Sequence, residues 1–231
     1  MGHPDGVHHL AISTADIKTQ IEFFTDVLGA ELRALYWMHG APDTIHGFVR
    51  LSDHSYVAFV QSAAVKATGA APGVSHAENY ASASAPGTMQ HVAFNVASMD
   101  ELLAVRDRIR SRGINVFGPL DHGLCHSIYF AGPEGLLLEA AWSAEAIDDR
   151  AWIDPEVVDL VGISADELDR FVHPAAFSGE GGRRPQPEID WSRPHFGPRA
   201  NFEWLMTTPD DVVIARLSEP DPPVKVPADL G

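Results

Sequence analysis

One passage occurs twice in this chain, and it constrains the fold more than any other feature. Val7-His8-His9-Leu10-Ala11-Ile12 opens the first copy, and Met89-Gln90-His91-Val92-Ala93-Phe94 opens the second. Each is a short apolar run of strand character with a histidine inside it, followed by a helix-starting signal. A unit that recurs once, with a histidine at the equivalent strand position, predicts two halves of one plan facing a shared cavity.

Residue spacing extends both copies. In the first, Ser13, Thr14 and Asp16 offer capping oxygens, and Ile17, Ile21, Phe24 and Leu28 recur at helical spacing up to Gly29. Strands are predicted over 31–37, 46–51 and 56–61, separated by turn-prone stretches at 40–43 and 52–55. In the second copy, a strand over 89–96 precedes the capping box Ser98-x-x-Glu101, and a helix carrying Leu102, Leu103, Val105 and Ile109 ends at Gly113. Strands over 114–117, 126–130 and 136–141 follow, with Gly132-Pro133-Glu134-Gly135 as the last turn. Both halves read β-α-β-β-β, an α+β pattern.

The predicted boundaries are 1–62 for the first module, 63–87 for an Ala-, Ser- and Gly-rich linker, 88–145 for the second module and 146–231 for a C-terminal helix and arm. Within that last segment 154–172 reads as helix, with Ser164-x-x-Glu167 as another capping box, and 178–200 reads as an irregular arm. Stretches 201–206 and 212–217 fit either short strands or a helix.

Composition narrows the partners. With 16 basic and 32 acidic residues the chain carries a net charge of −16, which repels phosphate backbones and argues against nucleic acid. No apolar run approaches the length a membrane span needs. Cys125 is the sole cysteine, so an internal disulfide is excluded, and a reducing cytoplasm is the expected location. Its place beside His126 on a strand turns the two side chains to opposite faces, so Cys125 is expected to be a structural thiol.

Strand alternation sets the faces. Val7, His9 and Ala11 share one face, and His91, Ala93 and Asn95 share the corresponding one. The opposite faces are more apolar and should pack on the helices, leaving His9 and His91 on the concave side. A one-residue slip would exchange His9 for His8. The match of His-Leu-Ala-Ile with His-Val-Ala-Phe favours His9. Glu139, inside the apolar run 136–141, is costly to bury without a partner, and a divalent metal would supply one. Two histidines and a carboxylate form the facial ligand set of non-haem Fe(II) oxygenases.

On these residues, about 5–152 of the chain resembles the vicinal oxygen chelate superfamily of glyoxalases, bleomycin-resistance proteins, epimerases and extradiol dioxygenases. The resemblance implies paired βαβββ modules forming a half-open mixed-sheet barrel around a metal, held here by His9, His91 and Glu139. Glyoxalase-like lyases add a fourth ligand, a Glu on the last strand of the first module. Here Tyr56-Val57-Ala58-Phe59-Val60-Gln61 has no carboxylate, with Phe59 or Gln61 at the candidate place.

The run His122-Gly123-Leu124-Cys125-His126-Ser127-Ile128-Tyr129-Phe130, with Pro133-x-Gly135, Glu139 and Ala141-Trp142-Ser143, is similar to the C-terminal motif of type I extradiol dioxygenases. That similarity implies Fe(II), O₂ and a small aromatic, catechol-like substrate. Tyr129 and His122, or His126 as an alternative, would orient the ring. His54, displaced by one residue from the family's position, would handle the proton. The rival readings are a lyase or isomerase using Mn, Ni or Zn, and a small-molecule binding protein. A homo-oligomer is also implied, with the arm from Ser178 to Arg199 wrapping a neighbour or covering the cavity.

Overall fold

A computed structural model describes residues 3–177, 179, 182 and 184–225. Ser178, the first residue of the expected arm, and Arg183 within it lie outside the described residues. The chain divides into two compact units, one covering 4–175 and the other formed mainly after residue 176.

The duplication is plain in the first unit. β1 (His9–Ser13), α1 (Ile17–Glu22), β2 (Glu31–Trp37), β3 (Ile45–Ser52) and β4 (Ser55–Gln61) make the first module. β5 (Val92–Asn95), α3 (Met99–Ser111), β6 (Val116–Asp121), β7 (His126–Ala131) and β8 (Leu137–Trp142) make the second. The two four-stranded sheets have the same order, β1-β4-β3-β2 and β5-β8-β7-β6. The first and last strands of each module pair in parallel, and the other pairs are antiparallel. These are mixed α+β sheets, and they stay separate rather than closing into one barrel.

Local chemistry places the helices. Asp16 caps α1 by accepting from the Thr19 N–H at 3.1 Å, and Ser98 caps α3 by accepting from the Glu101 N–H at 3.1 Å. A π turn over Phe23–Val27 continues α1, with the Thr25 hydroxyl donating to the Ile21 carbonyl at 2.8 Å. The chain then leaves through Gly29 at φ 81°.

One apolar core serves both modules. Ile12, Val57 and Phe59 of the first sheet and Ile128, Leu138 and Ala140 of the second pack with Phe24, Leu102 and Ile109 from the helical segments. Phe24 meets Phe94 edge to face at 6.0 Å across the modules. The Glu134 carboxylate, in the turn before β8, accepts from the Ala15 N–H at 2.8 Å and the Gln20 side-chain N–H at 2.9 Å. Arg108 of α3 donates to the Val27 and Asp26 carbonyls, both at 2.9 Å.

Two segments differ from expectation and a third settles an open alternative. Residues 63–87 carry α2 (Ala63–Thr68), capped by Ser62, and then a hydrogen-bonded strap in which Ala77 is fully buried. The helical stretch 154–172 is broken at Gly162, φ 74°, into α5 (Pro155–Leu160) and α6 (Ala165–Val172), and the Ser164–Glu167 capping box forms as expected. Arg199–Thr207 and Asp210–Leu217 are helices, α7 and α8, which resolves the open alternative. In that second unit the Arg199 guanidinium lies 4.1 Å over the Trp191 ring, and Trp191 also meets Phe202.

Candidate active site

The polar face of the second sheet gathers the reactive side chains. Ala93 of β5 pairs with Glu139 of β8, and Glu139 pairs in turn with Tyr129 of β7, so the carboxylate and phenol share a face. His91, two residues before Ala93, joins them: its Nε2 lies 2.9 Å from Glu139 Oε2. Glu139 is only 5% exposed, so this contact supplies the partner that a buried carboxylate requires. Beside them Tyr129 Oη and His122 Nε2 share a hydrogen bond of 2.9 Å.

His122 stands on a tight loop. Its N–H donates to the Cys125 carbonyl at 2.9 Å, and Gly123 adopts φ 80°. Trp152, from the short helix α4 (Asp149–Trp152), closes on Gly123 so tightly that an added Cβ would come within 2.8 Å of the indole. His126, the alternative to His122, instead packs on Trp142, with its Nε2 3.7 Å from Asp121 Oδ2. Cys125 is half-buried with its Sγ 3.4 Å from Ser127 Oγ.

Two residues of this site escaped the sequence reading. Tyr80, in the strap between the modules, sets its ring 4.2 Å from that of Tyr129 and edge-on to His91 at 6.4 Å. Gln90 holds both sides together. Its amide N–H donates to the Tyr80 carbonyl at 2.9 Å, and its amide oxygen meets His91 Nδ1. A proton on Nδ1 directed at Gln90 leaves Nε2 as the nitrogen turned to Glu139. The one available signal for Tyr80 was compositional: it is the only Phe, Trp or Tyr between residues 63 and 87.

Burial raises both phenols above the ordinary tyrosine range. For Tyr80 the nearby Glu139 carboxylate adds to it. For Tyr129 the Ser127 side chain pulls the other way and Glu139 again raises it. Both therefore stay protonated at neutral pH and can donate.

The first sheet holds the remaining candidates. His9 pairs with Tyr56, packs on Phe48 at 5.5 Å, and approaches His8 with their Nδ1 atoms 2.9 Å apart. His46 lies on the same face, where burial, then His9 and His39, hold its imidazole below the usual histidine range. His54 is exposed in the turn Ser52–Ser55, at the end of the sheet that carries His9.

The expected three-residue set is therefore not assembled in one chain. His91 and Glu139 converge, but His9 does not reach them, and among the described residues no three His, Cys, Asp or Glu gather to hold a metal. The reason is packing. Both sheets turn their apolar faces into the common core, so His9 and His91 lie on faces that point away from it. Register also moves the candidate fourth-ligand place. Ala11 pairs with Ala58 as Ala93 pairs with Glu139, so Ala58 takes that position. Phe59 is buried in the core, and the Gln61 side-chain oxygen accepts from the Ile17 N–H at 2.7 Å.

Chemically, the His91–Glu139 pair suits two neighbouring positions on a metal. Ligands at right angles, each roughly 2.1 Å from an ion, stand about 3 Å apart, as these two atoms do. One chain supplies two such donors.

The sequence matches the model of the Glyoxalase/Bleomycin resistance protein/Dioxygenase superfamily over residues 6–140, more than half of its length. The chain belongs to this superfamily. Its description joins enzymes with resistance proteins. Among curated proteins no match is found.

Similar solved structures include a glyoxylase/bleomycin resistance protein/dioxygenase domain from Frankia, at 15% identity and TM-score 0.47, covering 61% of this chain and 99% of that one. The antibiotic binding protein TnmS3 from Streptomyces gives 14% identity and TM-score 0.45, covering 62% of this chain and 100% of that one. The fosfomycin resistance protein FosX from Listeria monocytogenes, complexed with Mn(II), gives 16% identity and TM-score 0.40, covering 61% and 93%. No described helix is long and apolar enough to cross a membrane.

Proposed function

We propose that this chain is a metal-dependent enzyme of the superfamily, an extradiol-type dioxygenase that cleaves a catechol-like substrate with O₂ in the cytoplasm. It would work as a homodimer in which His9 of a second copy completes the iron site begun by His91 and Glu139. The observation that carries this reading is the 2.9 Å approach of His91 Nε2 to Glu139 Oε2, flanked by the hydrogen-bonded Tyr129 and His122. The outward-facing His9 is the natural third donor, and His54 lies at the same end of its sheet, so both would come from the second copy.

Bound Fe(II) would acidify the substrate hydroxyls and admit O₂. The chain's own groups do the rest. Tyr129, kept protonated, donates to a substrate oxygen. His122 orients that phenol and relays a proton, while His54 takes the proton from the substrate.

The test is complementation. His9→Ala and Glu139→Ala chains should each lack iron and oxygen uptake. Mixed and allowed to exchange, they should regain about a quarter of the wild-type activity, since mixed dimers hold one intact site. Iron at full occupancy in a monomer, with no rescue on mixing, would defeat the shared site. Proton exchange supported by Mn, Ni or Zn without oxygen uptake would make the chain a lyase or isomerase. Metal-free ligand binding alone would make it a binding protein.

A further inference from the structure

We propose that Tyr80 is a specificity-determining residue, its ring forming with Tyr129 an aromatic wall that selects flat, unsaturated substrates over saturated diols with the same oxygens. This rests on the site reading above and names what kind of molecule that site prefers.

The strap is built to present this ring. Ser82 Oγ accepts from the Glu78 and Asn79 N–H groups at 2.8 and 2.9 Å, and Asn79 Oδ1 accepts from the Ala81 N–H at 3.0 Å, forming a turn with Tyr80 at its tip. The turn is held down on both sides. Ala77 is fully buried, and His76 lies so close to Gly135 that an added Cβ there would come within 2.7 Å of its Nε2. On the other side Gln90 grips the Tyr80 carbonyl at 2.9 Å.

The ring so presented is tilted 52° to Tyr129 at 4.2 Å and stands beside His91. Tyr80 is still 40% exposed, so part of its surface remains available to a ligand. An apolar residue would suffice merely to fill space. An angled pair of phenols adds π-faces, which reward stacking with another ring and offer nothing comparable to a saturated one.

The experiment measures, without O₂, binding of two probes by calorimetry to the full chain in its iron-loaded form: catechol, and cis-1,2-cyclohexanediol, which keeps the vicinal oxygens without the π-system. In Tyr80→Ala the affinity for catechol should fall about tenfold, while that for the diol changes less than twofold. Tyr80→Phe should retain most of the preference, because the ring remains. Thermal melts of both variants check that they are folded, as expected for a half-exposed side chain.

An unchanged catechol-to-diol ratio in Tyr80→Ala would overturn the proposal. So would tighter catechol binding, which would make the ring a plug rather than a wall, and so would failure of the wild type to bind any aromatic probe. Catechol binding with the expected selectivity but no oxygen uptake would sustain the role of Tyr80 and remove the dioxygenase reading instead.

Discussion

Ala58 holds in the first sheet the register position that Glu139 holds in the second, because each pairs with the alanine two residues beyond its module's strand histidine. The duplicated plan therefore carries two histidines but one carboxylate. On the proposed reading, the charge at Glu139 would decide which sheet begins the metal site. Glu139→Gln keeps the size and a hydrogen-bonding partner for His91 but removes that charge. We expect iron affinity to drop about a hundredfold or more, with stability of the metal-free protein changed by only about 1 kcal/mol. Elemental analysis together with thermal melts separates the two effects. Full iron retention would show that the carboxylate is not a ligand.

Tyr129→Phe removes one oxygen and keeps the ring against Tyr80. The His122 hydrogen bond is lost, and turnover should fall about a hundredfold if the phenol acts on the substrate in the transition state. KM should move much less. A large rise in KM at constant kcat would reassign Tyr129 to ground-state binding.

Gly123→Ala tests the support of His122. The position needs φ 80° and sits against Trp152, so the variant carries backbone strain as well as a clash. A loss of roughly 1–2 kcal/mol is expected, together with reduced turnover. Adding Trp152→Ala should make the combined loss smaller than the sum of the two single losses. Strict additivity in urea melts would mean that the indole does not constrain this loop.

Glu134 links the modules, and its effect depends on pH. Although burial raises its carboxyl, hydrogen bonds from Thr14, Gln20 and the Ala15 N–H outweigh it and hold the group below the usual glutamate range. A carboxyl depressed in the folded state contributes stability that is complete above its unfolded pKa and disappears as pH falls through the folded one. Glu134→Gln should therefore cost about 1 kcal/mol at neutral pH, limited by solvent exposure, and nothing once the wild type is protonated. Paired melts across acidic pH give the answer, and a pH-independent difference would rule out the charge as the cause.

Much of the fold was legible. The Ser98 and Ser164 caps and the chain-reversing Gly29 are local signals, and the backbone honours each of them; of the two repeated histidines, His9 opens β1 while His91 lies one residue before β5. Tyr129 was singled out by its resemblance to a family motif, and its pairing with Glu139 came only with the structure. What did not follow was anything set by register or by distant packing. Ala58 was missed for Phe59 or Gln61, both on the other face, because a shift of one residue reverses the face. Tyr80 and Trp152 reach the site through a strap and a four-residue helix, for which periodicity carries no signal. The separation of His9 from His91 depends on how two apolar faces share one core, which neither face encodes alone.

Gln90 ties the carbonyl of Tyr80 to the imidazole of His91 through a single amide group. A shift of the strap therefore reaches the histidine through the one amide that contacts both. On the proposed reading, a molecule resting on the tyrosine and an ion resting on the histidine would alter one another's affinity by an equal factor. Order of addition would then matter to speed but not to the final affinity, and replacing Gln90 by an apolar residue would remove the part of that coupling carried by the protein, leaving only what the substrate oxygens and the ion exert on each other directly.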